Sequence, residues 1–127
     1  MKILFLDIDG PLVNARTHLA LFDHFNKSRI LSVTEVMQHF DPVGIAAINN
    51  ICHATGAKIV VSSTWRTLPI TDKVFKPGIN DLRCHLKEQG ITAEFHEDWK
   101  TPVLFNNYYR LREINEWLSE HPEVTHW

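Results

Sequence analysis

Two carboxylates two residues apart, Asp7 and Asp9, stand at the end of an apolar run, Ile3-Leu4-Phe5-Leu6, and are followed by Gly10. On an extended backbone, positions i and i+2 point to the same side. Like charges this close repel, so packing gives no reason for the pair, whereas a cation or a shared proton does. Ser62 and Ser63 close a second apolar run, Lys58 to Val61, and Arg66 follows shortly after. Arg110 opens a further helical pattern. Two acids, a hydroxyl and a guanidinium at one cleft suit phosphoryl transfer. One carboxylate can attack phosphorus and become an acyl phosphate. The other can protonate the departing oxygen and later deprotonate the water that releases phosphate. Magnesium would hold the carboxylates together and bridge to a phosphate oxygen. Ser62 can donate a hydrogen bond to the phosphoryl group, and Arg110 can neutralise charge on its oxygens. The plainer alternative, that either aspartate caps a following helix, fits less well because Gly10-Pro11 opens a helix poorly.

The elements that must position these residues follow from periodicity. A short apolar stretch stopped by a turn signal predicts a fully buried strand over 3–6. Its carboxyl end is where open α/β sheets bind ligands. Gly10 lets the chain bend there without a Cβ penalty. Thr17 to Phe25 has helical spacing (Leu21, Phe22, Phe25), and Ser32 to Glu35 matches a capping box before Val36, Met37 and Phe40. These predict one or two short helices forming a modest insertion over the site. Asp41-Pro42 predicts a helix start, and Gly56 its end after Ala47, Ile48, Ile51 and Cys52. Lys58 to Val61 predicts a second buried strand, and Pro69 to Gly78 a loop. Ile79 to Gln89 predicts an amphipathic helix stopped by Gly90. Alternation of Ile91, Ala93 and Phe95 predicts a third strand near an edge, with an irregular stretch over Trp99 to Asn107. Tyr109 to Glu120 predicts a helix with Leu111, Ile114 and Leu118 on one face, stopped by His121-Pro122. Val124 to Trp127 predicts the start of a fourth strand. Strands alternating with helices predict an α/β fold, a doubly wound parallel sheet in a single domain over residues 1–127.

Composition narrows the function classes. With 127 residues, 44% of them hydrophobic and 22% charged, the chain reads as one soluble globular domain. A net charge of -2 exerts no general pull on nucleic acid or anionic membrane. No apolar run is long enough to cross a bilayer, and residues 1–6 are too short for a signal peptide. Cys52 and Cys84 are too few for a disulfide framework, which fits a reducing, cytoplasmic setting. The eight histidines form no ligand-spaced pattern and read as surface or partly buried residues. Trp65 could stack on a base, although core packing is the commoner role of a large aromatic beside a sheet.

Asp7-Ile-Asp-Gly-Pro-Leu12 resembles the first motif of the haloacid dehalogenase-like (HAD) superfamily, mostly phosphotransferases. Ser62, closing Ile59-Val60-Val61, matches its second motif. Thr55 to Arg66, together with Arg110 to Leu118, is similar to the small HAD domains associated with RNA-repair proteins. The resemblance implies a Rossmann-like core with a small or absent cap. It implies Asp7 as nucleophile, Asp9 as general acid/base, Ser62 as phosphoryl hydrogen-bond donor and Arg110 as third-motif cation, with Arg112 second to it. It places Mg2+ on the Asp7 carboxylate and the Asp9 carbonyl, and Gly10, Ser63 and Arg66 within reach of substrate. It implies a phosphatase acting on a phosphorylated small molecule, a nucleotide or a nucleic-acid end.

The pattern departs from the family at the fourth motif, whose metal-binding acids are expected just after the strand that begins at Val124. Glu97 and Asp98 are expected to follow the third strand, on the wrong side to substitute. The sequence therefore reads either as part of a longer enzyme or as a short form in which metal binding is impaired. The short form makes a non-catalytic phosphate-binding or regulatory module the alternative function. A truncated fourth strand also implies self-association through the exposed sheet edge.

Overall fold

The computed structural model describes residues 1–25, 39–68, 81–104 and 110–127, with the side chains of α1 described as far as Ala20. The capping box at Ser32 to Glu35, the loop over 69–78, the helix start at Ile79 and the residues 105–109 lie outside the described residues, as do the side chains of Leu21, Phe22 and Phe25. The elements are β1 (Ile3–Leu6), α1 (Ala15–Phe25), α2 (Pro42–Thr55), β2 (Lys58–Val61), a 3-10 turn (Thr64–Thr67), α3 (Leu82–Glu88), β3 (Phe95–Lys100) and α4 (Arg110–Glu120). The three strands form a parallel sheet in the order β1-β2-β3. A single parallel bridge, Lys2 to His126, brings the C-terminal segment to β1. Its bond runs from the Ile3 N–H to the His126 carbonyl at 3.0 Å. The expected fourth strand is thus present as one bridge, and β1 lies between two neighbours. Among the described residues, no helix is long and apolar enough to cross a membrane.

Strand alternation sorts the core into two faces. Leu4, Leu6, Ile59 and Val61 pack with Ile45, Ile48, Leu82 and Leu86 of α2 and α3. Ile3, Phe5 and Val60 pack with Trp117 and Leu118 of α4. Helices therefore cover both faces, as a doubly wound sheet requires. The Trp117 ring meets Phe5 edge-on at 5.5 Å between centroids.

The helix boundaries have local causes. Asn14 caps α1, its Oδ1 accepting from the Arg16 N–H at 2.9 Å, which starts this helix before the expected Thr17. Asp41 caps α2, accepting from Val43, with Pro42 opening the helix and Gly56 ending it in the left-handed region at φ 69°. The two caps are joined, since Asn14 Nδ2 donates to Asp41 Oδ2 at 2.7 Å. Asp81 caps α3 through the Cys84 N–H. Both cysteines are free, and burial pushes the Cys52 thiol up, away from reactivity.

Three expectations are corrected. Ile91 and Ala93 are buried but precede β3, which starts at Phe95 and runs through Trp99 and Lys100. The cause is Asn49 of α2. Its Oδ1 accepts from the Thr92 and Ala93 N–H groups, and its Nδ2 donates to the Gly90 carbonyl. The backbone there is satisfied by a side chain instead of a ladder. Next, Glu97 and Asp98 lie within β3, inside a bulge where Ile59 pairs with Phe95 but Val61 pairs with Lys100. Finally, the buried face of α4 centres on Trp117: Leu118 packs beside it as expected, Leu111 is 62% exposed, and Glu113 turns to the buried Arg66.

Gly44 sits where α2 crosses the loop after β1. A Cβ there would overlap the Pro11 carbonyl oxygen, which is backbone and cannot swing aside, and would press on Leu12. Alanine favours a helix interior by about 1 kcal/mol over glycine. Overpacking costs about 1–3 kcal/mol, so Gly44→Ala is expected to destabilise the protein, read as a lower urea midpoint at unchanged slope. At Asp41 the Asn14 hydrogen bond, aided by the Val43 amide and Arg16, outweighs burial and holds the carboxyl below its usual range. A carboxyl lowered by folding contributes stability above its unfolded value of about 3.9. That contribution is lost as pH falls through the folded value. Urea midpoints should therefore drop in acid below about pH 4, and Asp41→Asn, which preserves the cap, should flatten that drop.

Candidate active site

Parity carries the sheet pattern into the site. Ile3 and Phe5 face α4, so the next odd position, Asp7, leaves the strand on the same side. Ser62 follows Val61, the register partner of Leu6, and its N–H donates to the Leu6 carbonyl at 2.9 Å. Continuing the register one step sets Ser62 beside Asp7. The first residue of α4, Arg110, meets them there, with its Nη1 paired to Asp7 Oδ2. Asp7 Oδ1 accepts from the Ile8 N–H at 2.9 Å. Asp7, Ser62 and Arg110 thus come from three separated segments to one strand-end position. Arg112 is exposed and has no such contact.

Asp9 takes a different partner. Trp65 Nε1 donates to Asp9 Oδ2 at 3.0 Å. The Trp65 ring is held edge-on by Phe40 at 5.9 Å between centroids. Sequence reasoning weighed base stacking against core packing for Trp65, whereas the tryptophan packs partly against the core and also holds the second carboxylate. The two acids are therefore each held by their own donor. Asp9 itself is exposed.

The loop between them is tight. Leu12 and Val13 N–H groups both donate to the Ile8 carbonyl, and the Gly10 N–H donates to the Val13 carbonyl at 2.8 Å. These bonds flank Asp9 and leave its own carbonyl outside the ladder. Gly10 adopts φ 101°, a conformation L side chains rarely take. Its N–H is already committed, so Gly10 shapes the turn and does not offer its amide to an anion.

Ser63 and Arg66 are corrected from substrate contacts to supports. Ser63 is buried and caps the 3-10 turn by accepting from the Trp65 N–H. Arg66 is buried, and its donors all go to protein oxygens. Nε bonds the Thr101 carbonyl at 2.9 Å, and Nη1 the Ser62 and Ser63 carbonyls at 2.9 and 2.7 Å. Nη2 bonds the Pro102 carbonyl at 3.0 Å and Glu113 Oε2 at 2.7 Å. A guanidinium has five N–H donors, and none remains for a ligand. Its role is to lock the ends of β2 and β3 to α4. Glu113 lies one turn after Arg110, so the lock also fixes where Arg110 points. No charge pattern in the sequence singled out Glu113.

The family model describing the HAD domain in Swiss Army Knife RNA repair proteins matches residues 3–127. The chain belongs to this HAD family. No curated protein and no solved structure matches it. In this HAD domain, Asp7 at the end of β1 is paired with Arg110 of α4, and Asp9 is held separately by Trp65.

Breaking a buried ion pair on one side leaves an uncompensated charge and costs about 3–5 kcal/mol. Glu113 keeps some solvent contact, with 18% of its side chain exposed, so Glu113→Gln should fall at or below the low end of that range. Arg66→Met, which strips five bonds, should exceed it. Chemical denaturation of the two variants checks the order, which reverses if Arg66 is merely a surface group.

Proposed function

We propose that this HAD domain is a magnesium-dependent phosphatase that acts through an aspartyl-phosphate on Asp7, with phosphorylated polynucleotide ends or nucleotides as substrates. The observation that carries the reading is the meeting of Asp7 with Arg110 at the carboxyl end of β1, with Asp9 held separately beside it by Trp65. Asp7 is the nucleophile, because it is paired with the guanidinium that a phosphoryl group would need. It lies one register step from Ser62, whose hydroxyl donates to the Leu6 carbonyl at 3.4 Å and would turn to the phosphoryl group. Entry of a phosphoryl group would draw Arg110 from the carboxylate to the phosphoryl oxygens, releasing Asp7 Oδ2 to attack phosphorus. Asp9, exposed and held at one oxygen, can give a proton to the leaving oxygen. It can then take one from the water that attacks the acyl phosphate, which returns Asp7 and releases inorganic phosphate.

The donor set fits magnesium. A hard cation takes oxygen ligands and is commonly held by one or two carboxylates together with substrate phosphate. The Asp7 carboxylate and the unladdered Asp9 carbonyl supply such oxygens. When bound, the ion would neutralise charge between Asp7 and the phosphoryl group. The association of the family with RNA repair supports a polynucleotide end as substrate, and the exposed Asp9-Gly10-Pro11 edge leaves room for a bulky one.

Magnesium-dependent phosphate release from p-nitrophenyl phosphate and from a 3′-phosphorylated oligonucleotide tests the proposal. Asp7→Asn should abolish turnover. Arg110→Ala should lower kcat by roughly 10²–10³-fold, as loss of a donor to developing charge does. The Asp7–Arg110 pair is part-exposed, 30% and 41%, so that variant should cost stability no more than about 1 kcal/mol. Turnover that survives Asp7→Asn overturns the mechanism. No turnover in the folded wild type assigns the domain to phosphate binding without chemistry.

A further inference from the structure

Nothing in the spacing of the eight histidines brings His96 and His121 together; the fold does. His96 comes from the β3 bulge and His121 from the residue just past α4. Glu123 lies two residues on, in the turn leading to the segment that pairs with β1. One ligand atom from each of His96, His121 and Glu123 lies within 4.8 Å of the others. This is the far end of α4 from Arg110, eleven residues or about 16 Å along the helix axis. The cluster is therefore separate from the candidate active site. We propose that His96, His121 and Glu123 form a binding site for a zinc-class divalent transition metal.

The chemistry of the donors favours that class. Two imidazoles with a carboxylate suit zinc and its neighbours, whereas magnesium and calcium prefer oxygen alone. His121 is already set up as a ligand. Its Nδ1 lies 2.6 Å from the Trp117 carbonyl, and a carbonyl can only accept, so Nδ1 carries the proton. Nε2 is then left with its lone pair, the arrangement in which a backbone carbonyl orients a metal-bound imidazole. The ring is further fixed by stacking on Trp117, 3.7 Å between centroids and 10° between planes. His96 Nε2 lies 3.8 Å from Glu123 Oε1. Asp98 Oδ2, 3.7 Å from His121 Nε2, puts a second carboxylate at the edge of the cluster. The Glu123 side chain is 46% exposed and can close onto an ion.

His96 must change tautomer to take part. Its Nδ1 accepts from the Asp98 N–H at 3.1 Å, which in the neutral ring puts the proton on Nε2. Metal at Nε2 moves that proton to Nδ1 and ends the Asp98 hydrogen bond. One backbone bond is exchanged for coordination by three side chains. The exchange gives the site a signature that a passive histidine cluster lacks, namely a shift of the Asp98 amide on metal binding.

The test uses the full chain stripped with chelator. Zinc is titrated by calorimetry, cobalt serves as the visible-absorption probe, and amide spectra are recorded with and without zinc. One zinc should bind, raise the melting temperature and move the Asp98 amide resonance, and cobalt should give the strong visible bands of low coordination. Glu123→Gln, which removes an exposed ligand and spares the core, should weaken zinc binding about tenfold or more. His121→Ala should do the same, although loss of the Trp117 stack makes Glu123→Gln the cleaner variant. Asp7→Asn should leave zinc binding unchanged. Absence of zinc binding by the folded wild type overturns the proposal. So does binding that Glu123→Gln leaves intact, or binding that Asp7→Asn abolishes.

Discussion

The arrangement of the site depends on one buried guanidinium. Arg66 gathers the carbonyls of Ser62 and Ser63 at the end of β2, those of Thr101 and Pro102 after β3, and the carboxylate of Glu113 on α4. Those carbonyls lie just where the strands stop, where the ladder no longer supplies donors to all of them. A fork of five donors answers that demand at a single point. It also converts a local need for hydrogen bonds into a fixed relation between the sheet and α4. Arg110 begins that helix, so the position of the guanidinium facing Asp7 is inherited from Arg66.

A second constraint is the parity of the strands. Odd residues of β1 and even residues of β2 face α4, and Asp7 and Ser62 continue those two series past the strand ends. The helix that covers this face must then both pack the core and wall the strand-end cleft. α4 does so along one stripe, with Arg110 at the ligand end, Glu113 on the Arg66 lock, Trp117 in the core and His121 at the base. Polar groups along this helix are tolerated because each finds a named partner.

The acids occupy different surroundings although they are two residues apart. Asp7 lies against a cation and the sheet, while Asp9 is exposed and tethered by an indole N–H. The turn at Gly10 separates the two settings. The same turn is pressed against α2 at Gly44, where only a glycine lets the two backbones approach.

Much of this was legible along the chain because it depends on local chemistry. The apolar runs before Asp7 and Ser62, the Asp41-Pro42 start, the Gly56 stop and the order of strands and helices each follow from neighbours in sequence. So does the placing of Asp7 and Ser62 at neighbouring strand ends. The limits of β3 were not legible, because Asn49, more than forty residues away, satisfies the backbone that alternation would have made a strand. The face of α4 was legible only in part, since Leu118 packs as expected while Leu111 is exposed. Hydropathy favours Leu111 over Glu113, and the buried partner Arg66 reverses that preference. By itself the sequence determined the fold class, which rests on the spacing of apolar runs and turn residues. Tertiary structure alone decided that Arg66 supports instead of binding, that Trp65 holds Asp9 and that His96 meets His121, because each depends on donors and acceptors brought together from distant segments.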